Sequence, residues 1–265
     1  MLLPRRHYTR MTAGEMSPAR AQRWIAVLPL GATEQHGPHL PFETDTIIAQ
    51  GLADRVAARA PESLPFTILP AEPVGYSIEH MDVPGTRTLA FDDAVNRWTG
   101  IGEGLFAQGF RKFLMLNAHG GNSPLMTVVA TELRVRLSML AVATSWTRFI
   151  APGGGVSAEE KACGIHGGQI ETAVMLALRP DLVDMARARD FPSAQAAHVR
   201  DFAHLRAYGP HAYGWKMSDL NADGVTGNAA AATPELGQAL LDTAADGIAA
   251  LLADMHAFNP PWLAP

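Results

Sequence analysis

The sequence predicts an α/β fold: a three-layer α/β/α sandwich around a mostly parallel sheet. Short apolar runs alternate with longer amphipathic segments, which is the pattern of parallel strands flanked by helices. The chain has 265 residues, 48% hydrophobic and 18% charged, enough to bury one large core. Imidazoles and carboxylates follow directly on several apolar runs, at the strand ends where such sheets hold ligands. With no internal repeat and no linker, one domain over 1–265 is expected.

The elements follow in order. "WIAVLPLG" (24–31) is a buried strand, and "DTIIAQGLADRVAARA" (45–60) sets Ile47, Ile48, Leu52, Val56 and Ala57 at helical spacing. "FTILP" (66–70) supplies a second strand. A helix over about 91–109 leads into "KFLMLN" (112–117), again a strand. "SPLMTVVATELRVRL" (123–137) is helical, with Pro124 accommodated in its first turn. "MLAVATSW" (139–146) follows as a strand. "TPELGQALLDTAADGIAALLADMHAF" (233–258) opens on a Thr-Pro-Glu helix start and carries a long apolar stripe.

Two glycine-rich stretches could pass for ligand loops, but packing in the first and a flexible loop over the sheet edge in the second are the commoner meanings of such patterns. "GIGEGLF" (100–106) lies inside a helical pattern and follows no strand, so it fails the context for a dinucleotide fingerprint and implies close helix packing. "PGGGVSAEE" (152–160) ends with Ser157 and Glu160 in capping-box spacing before a short helix.

Formal net charge is −5 with a pI near 6.0, and the charges are interspersed, so neither nucleic acid nor an anionic membrane is expected as a partner. A small molecule is. The one cysteine, Cys163, behaves as a small hydrophobe, and polar sequence follows "MLLPRR", which argues against a signal peptide and for the cytoplasm. Apolar stretches such as 137–146 fall short of the roughly 20 residues of a membrane helix.

Three strand-end segments carry the chemistry. In "LPLGATEQHGPHLPFETD", Glu34 and His36 lie two apart on extended backbone and share a side, while Asp45 begins the next helix. "LMLNAHGGN" places His119 and Asn122 just past a strand, with Gly120 and Gly121 allowing close approach. "GIHGGQIETAVMLAL" puts His166 before a glycine pair and Glu171 in the first turn of an apolar helix.

Glu34, His36, Asp45, His119 and Glu171 are therefore candidate metal ligands, with His39 and His166 nearby. Mixed carboxylate and imidazole donors suit Zn²⁺ or Mn²⁺, and the surplus of carboxylates suggests two ions with Asp45 as the bridge. Singly, Asp45 could be a helix N-cap and Glu171 a favourable charge at a helix start. Their coincidence at three strand ends favours metal.

These motifs, with "GYSIEHMDVPGT" (75–86), "NAHGGN" (117–122) and "HGGQIETAVML" (166–176), resemble the creatininase (creatinine amidohydrolase) family in order along the chain. The resemblance implies a three-layer fold, a binuclear metal site, hydrolysis of a C–N bond in an amide or cyclic amide outside ordinary peptide bonds, and a homo-oligomer, commonly a hexamer. It implies Glu34, Asp45 and His119 as ligands of one ion. His36 and Asp45 would hold the other, with Glu171 completing it. True creatininases carry a Tyr-Glu pair where this chain has Gly120 and Gly121, so the likeness is closer to the branch with "NAHGGN", which includes formamide deformylases and peptide-cleaving members.

The expected mechanism is attack by a metal-bridging hydroxide, with His166 protonating the leaving nitrogen. Ser77, Glu79, His80, Gly120 and Trp146 are candidate substrate contacts, and Tyr213 and Trp215 could stack on a ring or fill an interface. His39 and Asn122 are expected to support the ligands through hydrogen bonds. The competing classes are a serine hydrolase, since "GYSIE" approaches Gly-x-Ser-x-Gly but lacks its second glycine, and a non-enzymatic metal-binding scaffold or ligand-binding protein.

Overall fold

A computed structural model describes residues 3–150 and 154–263, so Met1, Leu2, Ala264 and Pro265 of the expected domain, and Pro152 and Gly153 of "PGGGVSAEE", lie outside the described residues. In chain order the elements are α1 (Pro18–Ala21), β1 (Ile25–Leu30), α2 (Thr44–Arg59), β2 (Phe66–Ile68), α3 (Phe91–Ala107), β3 (Lys112–Asn117), α4 (Ser123–Leu137) and β4 (Leu140–Ser145). Then come α5 (Ala158–Cys163), α6 (Gln169–Leu178), β5 (Asp190–Phe191), α7 (Gln195–Asp201), α8 (Met217–Leu220), β6 (Gly227–Asn228) and α9 (Pro234–Ala257).

The sheet runs β2-β1-β3-β4, all parallel, and β5 and β6 form a separate antiparallel pair. Strand period sorts the core into two layers. Ile25, Val27, Leu114 and Leu116 face α2, α6 and α9, whereas Ala26, Leu28, Phe113 and Met115 face α3 and α4. Because β1 and β3 are covered on both faces, their sequences are continuous apolar runs.

The chain leaves β1 for β2 on one side and returns to β3 on the other. The crevice beyond the C-terminal ends of β1 and β3 is thus a switch point, where open α/β sheets bind ligands. Ala118 N donates to Leu30 O at 2.9 Å, carrying the β1–β3 ladder up to the rim of that crevice.

Several expectations are corrected. The second strand ends at Ile68, ahead of Pro70, which has no N–H to donate to a ladder. Of the glycines at 100–106, only Gly102 is closely packed, against Leu133, while Gly100 and Gly104 meet nothing. Half of the capping box forms: Ser157 Oγ accepts from Glu160 N at 3.0 Å, but the Glu160 carboxylate turns inward to other backbone amides. Finally, α9 is long and apolar enough to cross a membrane, contrary to the reading of shorter stretches. Its stripe of Leu240, Leu241, Ala244, Ile248 and Leu252 packs in the core, and Asp242 and Asp246 pair with Arg55 and Arg59 of α2.

Candidate metal centre

The first ligand candidates come from a turn at the end of β1. Gly37 has φ +70°, in the left-handed region, and its α-hydrogen side abuts Val225, so a side chain is excluded there. This turn brings Glu34 and His36 back over the start of α2, where Asp45 sits in the first turn. Beyond β3, His119 enters from the other side. The Asn122 side chain ties the loops together: Nδ2 donates to Gly31 O, and Oδ1 accepts from Tyr76 N. Gly121 is glycine because a Cβ would run into the Tyr76 carbonyl and the side chains of Glu79 and His119. Glu171 and His166 close the site from the start of α6 and the loop before it.

The five candidate ligands converge. His36 Nε2 lies 3.4 Å from Asp45 Oδ1, 3.9 Å from Glu171 Oε2 and 4.0 Å from Glu34 Oε1. His119 Nδ1 lies 3.0 Å from Glu34 Oε1 and 3.5 Å from Asp45 Oδ2. Two groups with metal-like spacing result, Glu34–Asp45–His119 and His36–Asp45–Glu171, and Asp45 belongs to both. A third, Glu34–His36–His166, overlaps them.

Hydrogen bonding at the outer rim decides what the imidazoles present inward. A carbonyl can only accept, so each ring nitrogen facing one carries the proton. His36 Nδ1 donates to Glu34 O (3.0 Å), His119 Nε2 to Tyr76 O (2.9 Å) and His166 Nε2 to Gln35 O (2.7 Å). In the neutral rings the inner nitrogens, His36 Nε2, His119 Nδ1 and His166 Nδ1, then aim lone pairs at carboxylates. Both Glu34 oxygens, Asp45 Oδ2 and His36 Nε2 are buried without a hydrogen-bond partner. Lone pair against carboxylate in a buried site is unfavourable unless a cation lies between them. The donor set therefore fits a metal, with backbone carbonyls orienting the ligands from behind.

The proton affinities agree. Burial works against charge on His36 and His119, yet the carboxylates around them outweigh it and raise their pKa to about 9 and about 10. Burial raises Asp45 and takes Glu171 to about 7. At Glu34 burial is overcome by His119, His80 and His166, which hold the carboxyl well below its usual range. Protons here occupy places that divalent cations could take. Burial, then His80 and His36, depress His166 well below an ordinary histidine.

The other candidates separate. Glu79, His80 and Gly120 line the cavity, which has a volume of about 190 Å³. Ser77 lies behind His119, its Oγ 3.3 Å from Nε2, and does not line it. His80 Nδ1 accepts from Gln35 Nε2 (3.1 Å), which leaves the ring proton on Nε2, 3.4 Å from Glu34 Oε1 but outside hydrogen-bond geometry. His39 contacts no ligand atom; its Nε2 meets Thr172 Oγ1 on α6 (2.9 Å) and its ring stacks on Phe191. Trp146 is a correction. It is 1% exposed and packed in the core under α9, so it is not a substrate contact. Trp215 does line the cavity, with Tyr208, Ala207 and Ile165, whereas Tyr213 fills a small cluster behind it. Gln35 is a site residue that sequence reasoning missed: its side chain bridges Gly224 O (2.6 Å) and His80, and its one cue is its position between Glu34 and His36.

Residues 9–252 match the creatininase family, creatinine amidohydrolase. The chain belongs to the creatininase family. It is similar to the mycofactocin precursor peptide peptidase of Mycobacterium tuberculosis (strain CDC 1551 / Oshkosh), at 35% identity over 169 residues, covering 62% of this chain and 62% of that protein. Creatinine amidohydrolase of Pseudomonas putida is 28% identical over 246 residues, covering 85% and 87%. Among solved structures, a creatininase variant of Zn-Zn type superposes with TM-score 0.76 at 25% identity, covering 97% of this chain and 100% of that one. Peptidases and a creatininase both appear among these relatives, so they establish the family and not a branch within it.

Proposed function

We propose that this creatininase-family chain is a metal-dependent hydrolase of amide C–N bonds. In this reading Glu34, Asp45 and His119 hold one divalent cation, and His36, Asp45 and Glu171 hold a second. The observation that carries it is Asp45, buried in the first turn of α2 and shared by two ligand groups whose inner atoms otherwise oppose one another. Zn²⁺ and Mn²⁺ suit these donors, and a creatininase of Zn-Zn type shares the fold.

Bound there, such a pair supplies Lewis acidity toward a carbonyl oxygen and lowers the pKa of water. The chain's own residues do the rest. His166, kept neutral by burial and neighbouring imidazoles, would take at Nδ1 the proton that the attacking water loses and pass it to the leaving nitrogen as the C–N bond breaks, while Gln35 O holds the ring through Nε2. Gly120 leaves open space beside His119 for the acyl group. Glu79 and His80 line one side of the cavity and Trp215 and Tyr208 another, which favours a compact amide with a flat or apolar neighbour. The expected restriction to amides outside peptides is dropped, because a relative over 62% of the chain is a peptide peptidase.

The test pairs metal analysis with a substrate panel of formamides, cyclic amides and short peptides, with Mn²⁺ or Zn²⁺ added. About two ions per chain are expected, with hydrolysis lost on chelation and regained on metal addition. Hydrolysis that survives in fully stripped protein overturns the reading; two bound ions with no turnover across the panel favour a metal-binding scaffold.

A further inference from the structure

Glu160 lies outside both ligand groups, yet the residue is only 6% exposed and its carboxylate is placed where three backbone segments meet. Oε1 accepts from Gln169 N at 2.7 Å, and Oε2 accepts from Asn228 N at 2.8 Å. Gly164, Gly168 and Gly227 crowd around the same carboxylate, and a Cβ on any of them would collide with it. A buried carboxylate is costly unless its lone pairs are met by hydrogen bonds. Here two amides meet them, one of them the first N–H of α6, at the positive end of the helix dipole.

The two amides belong to the segments that carry one side of the metal centre. Gln169 stands two residues before Glu171, and the loop behind it carries His166. Asn228 continues the segment in which Thr226 N donates to His166 O at 2.9 Å. The same segment reaches β1's turn, through Gly224 O to the Gln35 side chain and through Val225 against Gly37. Gly167 N, just ahead of α6, donates to Glu171 Oε2 at 2.7 Å and sets that carboxylate's direction.

We infer that Glu160 is a positioning residue for the second cation site: its carboxylate locks the 164–171 loop to the 224–228 segment and so aims Glu171 at His36 and Asp45. This rests on the ligand assignment proposed above. It assigns Glu160 no contact with substrate or metal. Ligand placement by a supporting hydrogen bond is worth roughly ten- to a hundred-fold in metal affinity in other centres.

Glu160→Gln keeps the size and one acceptor oxygen but turns the other position into a donor facing Asn228 N. The full chain carrying it should bind one ion as tightly as the wild type and the other about ten- to a hundred-fold more weakly, read by Mn²⁺ titration and by metal content after dialysis. Hydrolysis should return toward wild type at high free Mn²⁺, a rescue that a general loss of packing would not give. Ser157→Ala, which removes the α5 cap and leaves the carboxylate, should keep both affinities. Amide hydrogen exchange gives a reading without metal: faster exchange confined to 164–171 and 226–228 is expected. Wild-type affinity for both ions, or unchanged exchange in those segments, overturns the inference. If the wild type itself binds no pair of ions, the ligand assignment fails, and the exchange experiment alone decides whether Glu160 orders these segments.

Discussion

The candidate metal centre has two walls that are built differently. Glu34, His36, Asp45 and His119 stand on the ends of β1 and β3 and the start of α2, where a continuous ladder pairs Ile25–Leu30 with Lys112–Asn117 residue for residue. His166 and Glu171 stand on a loop and helix start braced by two-residue strands and by side chains reaching to backbone: Glu160 to Gln169 and Asn228, Gln35 to Gly224. The first wall inherits its geometry from the sheet, whose backbone hydrogen bonds are made whether or not a ligand is present. The second depends on individual side chains, each of which can be lost by one substitution. Pre-organisation in this site is therefore cooperative in one half and piecewise in the other.

The largest effect is expected where the walls meet. Asp45→Ala removes the one carboxylate common to both ligand groups. It should reduce hydrolysis by about a thousand-fold or more and leave neither ion bound after dialysis. Circular dichroism should stay native, since Asp45 makes no cap hydrogen bond for α2. Retention of one tightly held ion would mean that the walls bind separately and that Asp45 is not shared.

A smaller effect separates two neighbouring glycines of the sheet-built wall. Gly121→Ala forces a methyl into the Tyr76 carbonyl, Glu79 and His119, at a place fixed by the β3 ladder. Overpacking of this kind costs about 1–3 kcal/mol, and His119 must shift, so metal affinity should fall along with the thermal midpoint. Gly120→Ala meets nothing within 4 Å and lines the cavity, so stability and metal content should stay at wild type while KM rises. Equal behaviour of the two variants would show that the wall is not rigid.

The same contrast explains what could be read in the sequence. β3 and α4 fall at 112–117 and 123–137 as expected, because an apolar run bounded by Lys112 and Asn117, and a Ser-Pro helix start, are local signals. Glu34, His36, Asp45 and His119 could be collected for a related reason: strand ends at a switch point face one crevice. Glu160 could not be read correctly. Its spacing from Ser157 is that of a capping box, and only contact with residues up to 68 positions away turns its carboxylate inward. Trp146 is a candidate substrate contact in the sequence as an aromatic able to stack on a ring, but the packing of α9 over the end of β4 places it in the core. Gln35 was equally hidden: its contact with His80 joins segments 45 residues apart, and no periodic pattern encodes it.

The smallest effect on the site should come from the opposite end of the same strand. Lys112 begins β3, and its ammonium donates to the carbonyls of Met255, His256 and Phe258 and to Asn259 Oδ1, at 2.7 to 3.0 Å. It satisfies carbonyls that the end of α9 leaves without helical partners, and a cation there also suits the helix dipole. Lys112→Met keeps most of the stem and deletes the charge, leaving those acceptors unmet at a cost of about 1.5–3 kcal/mol. The denaturation midpoint should drop accordingly. Metal affinity and kcat should not change, because the β1–β3 ladder between Lys112 and His119 keeps its own hydrogen bonds. If the variant instead loses metal in proportion to its stability, the sheet-built wall is no more autonomous than the loop-built one, and the contrast between them fails.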